Sequence, residues 1–291
     1  NLVIAGGHVV DPLHGVDHVA DIAVSSAEIA GVGDVSIGHS RRVIRAEGKY
    51  VFPGLVDCHV HTAGHPESYH MLARAGVTCA LDVAGHPGNV IPEALANGCG
   101  ITMGCLFPLI PNETVEGTSP PDSQIRAVTR KAIADGALGI KILGGHYPLT
   151  PDATRRAIRI AHDLGCWCAV HAGTTETGSD IEGLEELIAL SEGLPVHIAH
   201  INSYCRGQKM GDPSAEAARA IKALGRAPHC RSESYLAAIN GTSASMVDGE
   251  PKSNATKTCL RLGGYPESLA GMESAIAAGW AQVNMARAGA I

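Results

Sequence analysis

Aromatic side chains make up only 3% of this 291-residue chain, so base-stacking platforms and aromatic sugar-binding faces have little to be built from. A basic excess is missing as well. The chain carries 22 Lys and Arg against 29 Asp and Glu, a formal net charge of -7, which disfavours a polyanion such as nucleic acid as partner. No apolar run reaches the roughly 18 residues of a membrane-spanning helix, and no basic-then-apolar segment opens the sequence. The 9 cysteines follow no framework spacing, and their odd number fits reduced thiols. No Gly-x-Gly-x-x-Gly turn follows the first strand-like run, which removes the strongest argument for a dinucleotide-binding sheet. These absences lead to the expectation of a cytoplasmic protein with neither nucleic-acid nor membrane partners.

What remains is a globular composition, 45% hydrophobic and 18% charged, with 35 Gly and 16 Pro supplying turns. A chain of this length can bury one large core, and α/β barrels of this size commonly form one domain. Residues 1–50 read as short strands: Leu2–Ile4, then Gly6-Gly7, His8–Val10, a turn at Asp11-Pro12, Asp21–Val24, Ile29–Gly33 and Arg42–Ile44. From Phe52-Pro53-Gly54 onward, strand-like and helix-like stretches alternate. The strand-like runs are Leu55–His61, Val77–Ala84, Ile101–Leu109, Leu138–Leu143, Cys166–Ala172, Val196–Ile201 and, more weakly, Ala227–Ser232. Helix-like stretches include Ser123–Asp135, Pro151–Leu164, Ile181–Ser191, Pro213–Leu224 and Pro266–Val283. Pro151 and Pro213 suit first helical turns, while Gly165 and Gly225 suit helix ends. The alternation implies parallel strands with helical crossovers, in a closed barrel or a doubly wound sheet.

Chemistry concentrates at the strand ends. In Asp57-Cys58-His59-Val60-His61-Thr62, the i, i+2 spacing puts His59 and His61 on one face of a strand, as divalent-metal ligands would need. Taken alone, the pair also fits two satisfied core histidines. The fourth strand carries a lone lysine in Gly139-Ile140-Lys141-Ile142-Leu143, the fifth ends at His171 and the sixth at His200. The intervals of 30 and 29 residues from Lys141 to His171 to His200 each match one strand-helix unit. Recurrence at the same point of successive units points to a shared site at the C-terminal mouth. Burial of an amine favours its neutral form, which reacts with carbon dioxide to give a carbamate whose oxygens can bridge two ions. A solvated lysine at a strand end is the competing reading. In Cys166-Trp167-Cys168 the alternation turns both sulfurs away from the face of His171, so they read as small hydrophobes.

Val51-Phe52-Pro53-Gly54-Leu55-Val56-Asp57-Cys58-His59-Val60-His61 resembles the amidohydrolase superfamily, which includes dihydroorotases, hydantoinases and D-aminoacylases. Leu2–Gly7 through Val9-Val10-Asp11-Pro12 looks like that superfamily's N-terminal β-sandwich half. Thr62-Ala63-Gly64 and His200–Tyr204 resemble its D-aminoacylase and formylmethanofuran dehydrogenase A-subunit branches. The resemblance implies an α/β fold, a (β/α)8 TIM-like barrel. About seven units of it lie in residues 51–291, preceded by a partial β-sandwich in residues 1–50. It implies a more buried ion on His59 and His61, a more exposed one on His171 and His200, and a carboxylated Lys141 bridging them. Two divalent ions are expected, zinc first, with manganese, iron or nickel as alternatives. The implied activity is metal-dependent hydrolysis of the C–N bond in a cyclic or linear amide or imide, through an activated hydroxide. A deaminase or a C–O or C–S (ester- or thioester-type) hydrolase on the same scaffold, or a non-catalytic assembly subunit, are the rivals.

The family's eighth-strand aspartate, both ligand and proton carrier, has no counterpart among these residues. Asp248 sits in a polar loop-like stretch, and Asp212 reads as a helix N-cap before Pro213. The expectation is therefore that a second polypeptide, or the other part of a cleaved precursor, supplies strand eight, the aspartate and the closing sandwich strands, in an oligomeric assembly. The first residue being Asn rather than Met fits a processed chain. Candidate substrate contacts are His146, Tyr147, Asn202, Tyr204, Arg206, Ser232 and Glu233, with Arg206 suited to a substrate carboxylate and Gly144-Gly145 to close backbone approach.

Overall fold

The computed structural model describes residues 2–35, 40–235, 246–251 and 254–281. The chain divides into two compact units, one reaching to Val56 and including Gly76–Thr78, the other formed by Asp57–Ala75 and the residues from Cys79 onward.

The first unit is built on a five-stranded mixed sheet. β1 (Leu2–Asp11) lies between β2 (Val16–Ser25) and β4 (Arg42–Arg45), β3 (Glu28–Gly33) pairs with β2, and β5 (Tyr50–Val51) adds to β1. The Gly6-Gly7 pair does not separate two strands, as the sequence suggested, but lies inside one. The register against β2 shifts between Ile4 and Gly7, Gly6 takes a left-handed φ of 70°, and its N–H donates to the Asp21 carboxylate at 2.8 Å. A bulge of this kind needs a residue without a Cβ. Ile22, Ala20 and Val9 form the small core of this unit.

The second unit is organised by a seven-stranded sheet in the order β12-β11-β10-β9-β8-β7-β6, comprising β6 (Leu55–Val60), β7 (Val77–Asp82), β8 (Thr102–Leu109), β9 (Gly139–Ile142), β10 (Trp167–Val170), β11 (Val196–Ile198) and β12 (Cys230–Ser232). From β7 to β12 every neighbouring pair is parallel. The seven expected strands are all present, joined by α1 (Glu67–Arg74), α2 (Pro87–Asn97), α3 (Asp122–Ala134), α4 (Pro151–Asp163), α5 (Ile181–Leu190) and α6 (Pro213–Gly225). This is a curled half-barrel of β/α units. β8 and β12 end where their apolar runs end, whereas β6, β7, β9, β10 and β11 end one to three residues earlier; in β6, β10 and β11 the strand-end histidines have already left the ladder.

Helix starts are set by side chains that satisfy otherwise orphaned N–H groups. Thr150 accepts from Ala153 N at the head of α4, Asp180 from Glu182 N and Gly183 N at α5, and Asp212 from Ser214 N at α6. Asp212 is thus the N-cap the sequence indicated.

Alternation along the strands divides the two faces of the sheet. Ile140, Ile142, Cys168 and Val170 join the large core beneath the helices, with Cys166 packed partly against it. Ala169 turns the other way, into a small cluster with Leu81, Val83 and Leu106. Lys141 stands in register with Ala169 and with Pro108, and so occupies that inner face.

Two expectations need correcting at the C-terminal side. The helix expected over Pro266–Val283 is present as the shorter α8 (Leu269–Ala277), with Val283 outside the described residues, and it is preceded by an unexpected helix, α7 (Asn254–Leu262). Ser268 caps α8 through Gly271 N, and Gly279 at φ 74° ends it. Asp248 belongs to a hairpin turn, not a loop: β13 (Met246–Val247) and β14 (Glu250–Pro251) pair across Asp248 and Gly249, both at positive φ, the arrangement that an Asp-Gly turn adopts. Among the described residues no helix is long and apolar enough to cross a membrane.

Candidate metal centre

The five residues singled out at the strand ends gather at one mouth of the sheet. The rings of His59 and His61 lie 5.3 Å apart, those of His59 and His200 5.0 Å, and those of His171 and His200 4.6 Å. Lys141 is fully buried, and its Nζ has no hydrogen-bond partner among the described residues.

A buried, unpaired ammonium is costly, so burial pulls the Lys141 pKa down to about 8. Burial and then the neighbouring His59 lower His61 to about 4. Burial and then His59 lower His200 to about 3, and burial followed by His200 holds His171 well below its ordinary value. At neutral pH these imidazoles are uncharged and keep a lone pair to donate.

The donor atoms are arranged accordingly. His171 Nδ1 and His200 Nε2 face each other at 3.0 Å. Two nitrogens bound to one tetrahedral zinc at 2.0–2.1 Å lie about 3.3 Å apart, so this pair needs almost no movement to share a cation. His200 Nδ1 is buried without a partner. Among the described residues no three His, Cys, Asp or Glu side chains form a ready ligand sphere for one ion. The four rings instead form a continuous series, His61, His59, His200 and His171, with the buried Lys141 amine electrostatically close to His61, His171 and His200.

Second-layer contacts orient these rings. His171 Nε2 meets Ser179 Oγ at 2.6 Å, and His59 Nδ1 meets Glu233 Oε1 at 2.5 Å. The turn after His61 is pinned by buried Asp82, which accepts from Thr62 N at 2.6 Å, Thr62 Oγ1 at 2.9 Å and Ala63 N at 3.1 Å. His200 itself sits at φ 30°, ψ 69°, a left-handed conformation rare outside glycine that accounts for β11 ending at Ile198.

The remaining candidates separate. The His146 ring stands 4.6 Å from that of His171, and burial, then the charge of Arg206, lowers its pKa. Arg206 reaches the hydroxyls of Ser203 at 3.3 Å and Tyr235 at 3.4 Å, and no carboxylate among the described residues pairs with it. Asn202 Nδ2 donates to the Tyr235 carbonyl at 3.4 Å while its Oδ1 is buried without a partner. Tyr204 was expected on a specificity loop, but it is fully buried. Its hydroxyl accepts from Ala172 N at 2.9 Å, which makes it a support beneath His171. Gly144 and Gly145 form a short 3-10 turn after β9. Tyr147 and Ser232 are exposed. Sequence reasoning placed Glu233 only loosely, although a lone acid just past a barrel strand is a readable signal. Nothing in Thr174–Asp180 marks out Ser179 before the structure is seen.

No family model matches the chain. Among characterised proteins, a dihydroorotase from Trichlorobacter lovleyi is 25% identical over 248 residues, covering 70% of this chain and 55% of that one. An allantoinase from Bacillus velezensis is 39% identical over 84 residues, 26% of this chain and 18% of that one. Among solved structures, the N-acyl-D-glutamate deacylase of Bordetella bronchiseptica, complexed with zinc and a phosphonate inhibitor, superposes with a TM-score of 0.62 at 16% identity, covering 81% of this chain and 58% of that one. In sequence and fold the chain is similar to members of the amidohydrolase superfamily. The formyltransferase/hydrolase complex of Methylorubrum extorquens also matches this amidohydrolase fold, with a TM-score of 0.63 at 19% identity over 86% of this chain and 55% of that one. The chain spans about half the length of the dihydroorotase it matches.

Proposed function

We propose that this chain forms the metal-binding part of an amidohydrolase-superfamily enzyme that hydrolyses a C–N bond in a cyclic or linear amide or imide. One observation carries the reading: a fully buried amine, Lys141, without a partner among the described residues and with a pKa near 8, close to the imidazoles of His61, His171 and His200, which burial keeps uncharged. A satisfied core would not leave that nitrogen bare.

In this reading His59 and His61 would hold one divalent ion and His171 and His200 a second, with Lys141, as its carbamate, supplying oxygen ligands. Zinc is the first choice, since imidazole nitrogen and carbamate oxygen suit it; manganese, iron and nickel are the alternatives. Bound ions of this kind supply an activated water and a polarised carbonyl. The protein's own part is to keep the rings of His61, His171 and His200 uncharged through burial and to hold all four rings on a rigid sheet. Arg206, with no acidic partner among the described residues, would orient a substrate carboxylate by a paired contact, with His146 and Asn202 lining the same approach.

The sheet runs from edge strand β12 to edge strand β6. We infer that an eighth strand, carrying the aspartate that acts as proton carrier, comes from a polypeptide beyond the described residues, within an oligomeric assembly. Full activity of a native protein whose mass analysis shows this chain alone would remove that inference.

A second reading is a deaminase on the same scaffold. It is favoured by a match to the adenine deaminase of Moorella thermoacetica, 40% identical over 89 residues, 29% of this chain and 15% of that one. A panel of amides, imides, lactones and aminopurines, assayed alongside metal content, separates the two. Amide or imide turnover with about two ions per chain is the expected result. Near-zero zinc, manganese, iron and nickel would leave a non-catalytic scaffold.

A further inference from the structure

We propose that Glu233 is a positioning residue that presents His59 Nε2 to the metal and fixes the strained backbone of His200. The inference rests on the metal-centre reading above. Glu233 follows β12, one edge of the seven-stranded sheet, yet its carboxylate reaches His59 on β6, the other edge, at 2.5 Å. The sheet curls until groups from its two edge strands touch at the mouth.

A carboxylate can only accept, so His59 Nδ1 must carry the ring proton, which leaves Nε2 as the one nitrogen with a lone pair to offer. The second carboxylate oxygen, Oε2, accepts from the His200 N–H, and the Glu233 backbone carbonyl accepts from Ile201 N at 2.8 Å. Two consecutive amides at the left-handed His200 are therefore held by a single residue. His197 Nε2 lies 3.5 Å from the same carboxylate. With both oxygens engaged and the side chain only 16% exposed, Glu233 is not free to shuttle protons for a substrate. Its geometry suits orientation, and the aspartate missing from the described residues is not replaced by it. Ser179 Oγ holds the His171 ring at Nε2, leaving Nδ1 turned toward His200.

The test uses Glu233→Ala and Glu233→Gln in the protein purified in its native assembly. Zinc affinity is read by chelator competition, the visible spectrum is taken after cobalt substitution, and thermal melting is followed in parallel. Glu233→Ala should lower zinc affinity by about 10–100-fold and change the cobalt spectrum, as loss of an outer partner of a ligating histidine does. The Gln side chain has one acceptor oxygen for two donors, so it can keep only one of the two contacts, and its affinity should fall between wild type and the Ala variant. A purely structural role would lower the melting temperature and leave affinity and spectrum unchanged, which overturns the proposal. If Glu233→Ala does not fold, Glu233→Gln decides, and wild-type affinity with a wild-type cobalt spectrum in that variant is again fatal. Wild-type protein that takes up neither zinc nor cobalt would overturn the metal centre together with this inference; a metal-replete wild type with unaffected variants overturns this inference alone.

Discussion

The turn after β9 offers a sharp perturbation of the site without touching a ligand. Gly144 sits at φ 46°, and a Cβ built on it would lie 1.8 Å from the His171 carbonyl oxygen, 2.6 Å from its carbon and 2.8 Å from the Ala172 oxygen. All three are backbone atoms that no rotamer change can move. Gly144→Ala must therefore drive the turn and the end of β10 apart by at least about 1.2 Å to reach the 3.0 Å that real Cβ atoms respect. The left-handed conformation adds roughly 1–2 kcal/mol, and overpacking roughly 1–3 kcal/mol. Together these should lower the melting temperature by about 5–10 °C. Because His171 is the displaced residue, misplacement of about 1 Å should also cost about 100-fold in hydrolysis, with loss of bound zinc. Gly165→Ala is the control: Gly165 is left-handed at φ 63° with nothing within 4 Å of the added carbon, so it reports the conformational cost alone. Calorimetry and metal analysis of both variants give the comparison. Gly144→Ala that melts no lower than Gly165→Ala and keeps wild-type zinc would refute the reasoning.

Lys141→Ala should lose bound zinc and hydrolysis, with partial return on adding short carboxylic acids that stand in for the carbamate; unaided wild-type turnover would remove the bridge from the mechanism. Because burial lowers the Lys141 pKa to about 8, the reactive neutral amine grows about tenfold per pH unit below 8 and levels off above. Zinc uptake by metal-free protein at fixed dissolved carbon dioxide should rise from pH 6 to 8 and then plateau, and a flat profile would contradict this. Tyr204→Phe strands the Ala172 N–H that now donates to the phenol at 2.9 Å, which should cost about 1–3 kcal/mol and lower the calorimetric melting temperature by a few degrees; an unchanged melting temperature would show that the N–H finds another acceptor.

The seven barrel strands were legible because each is an apolar run punctuated by Gly, Pro or a strand-end histidine, and because the 30- and 29-residue intervals repeat. Their ends were read too long where local strain intervenes: Val196–Ile201 looks uniformly strand-like, yet the backbone turns left-handed at His200. α7 was missed because Asn254-Ala255-Thr256-Lys257-Thr258 has weak helix propensity, and the Asp248-Gly249 turn was passed over although Asp-Gly is a strong hairpin signal. The spacing singled out the five strand-end residues, but not the ring orientations of His59 and His171. Those depend on Glu233 and Ser179, 174 and 8 residues away, and such pairings exist only after the chain has folded.

Among the described residues, Leu81, Val83, Leu106 and Ala169 cluster as an apolar filling on the concave side of the sheet, while the convex side carries the bulk of the packing. Mutational tolerance should therefore be partitioned by strand parity. In β9 and β10, substitutions at 141 or 169 alter reactivity and leave the scaffold standing, whereas those at 140, 142, 168 and 170 govern whether the polypeptide survives at all. A fold wired this way can change its chemistry without renegotiating its architecture.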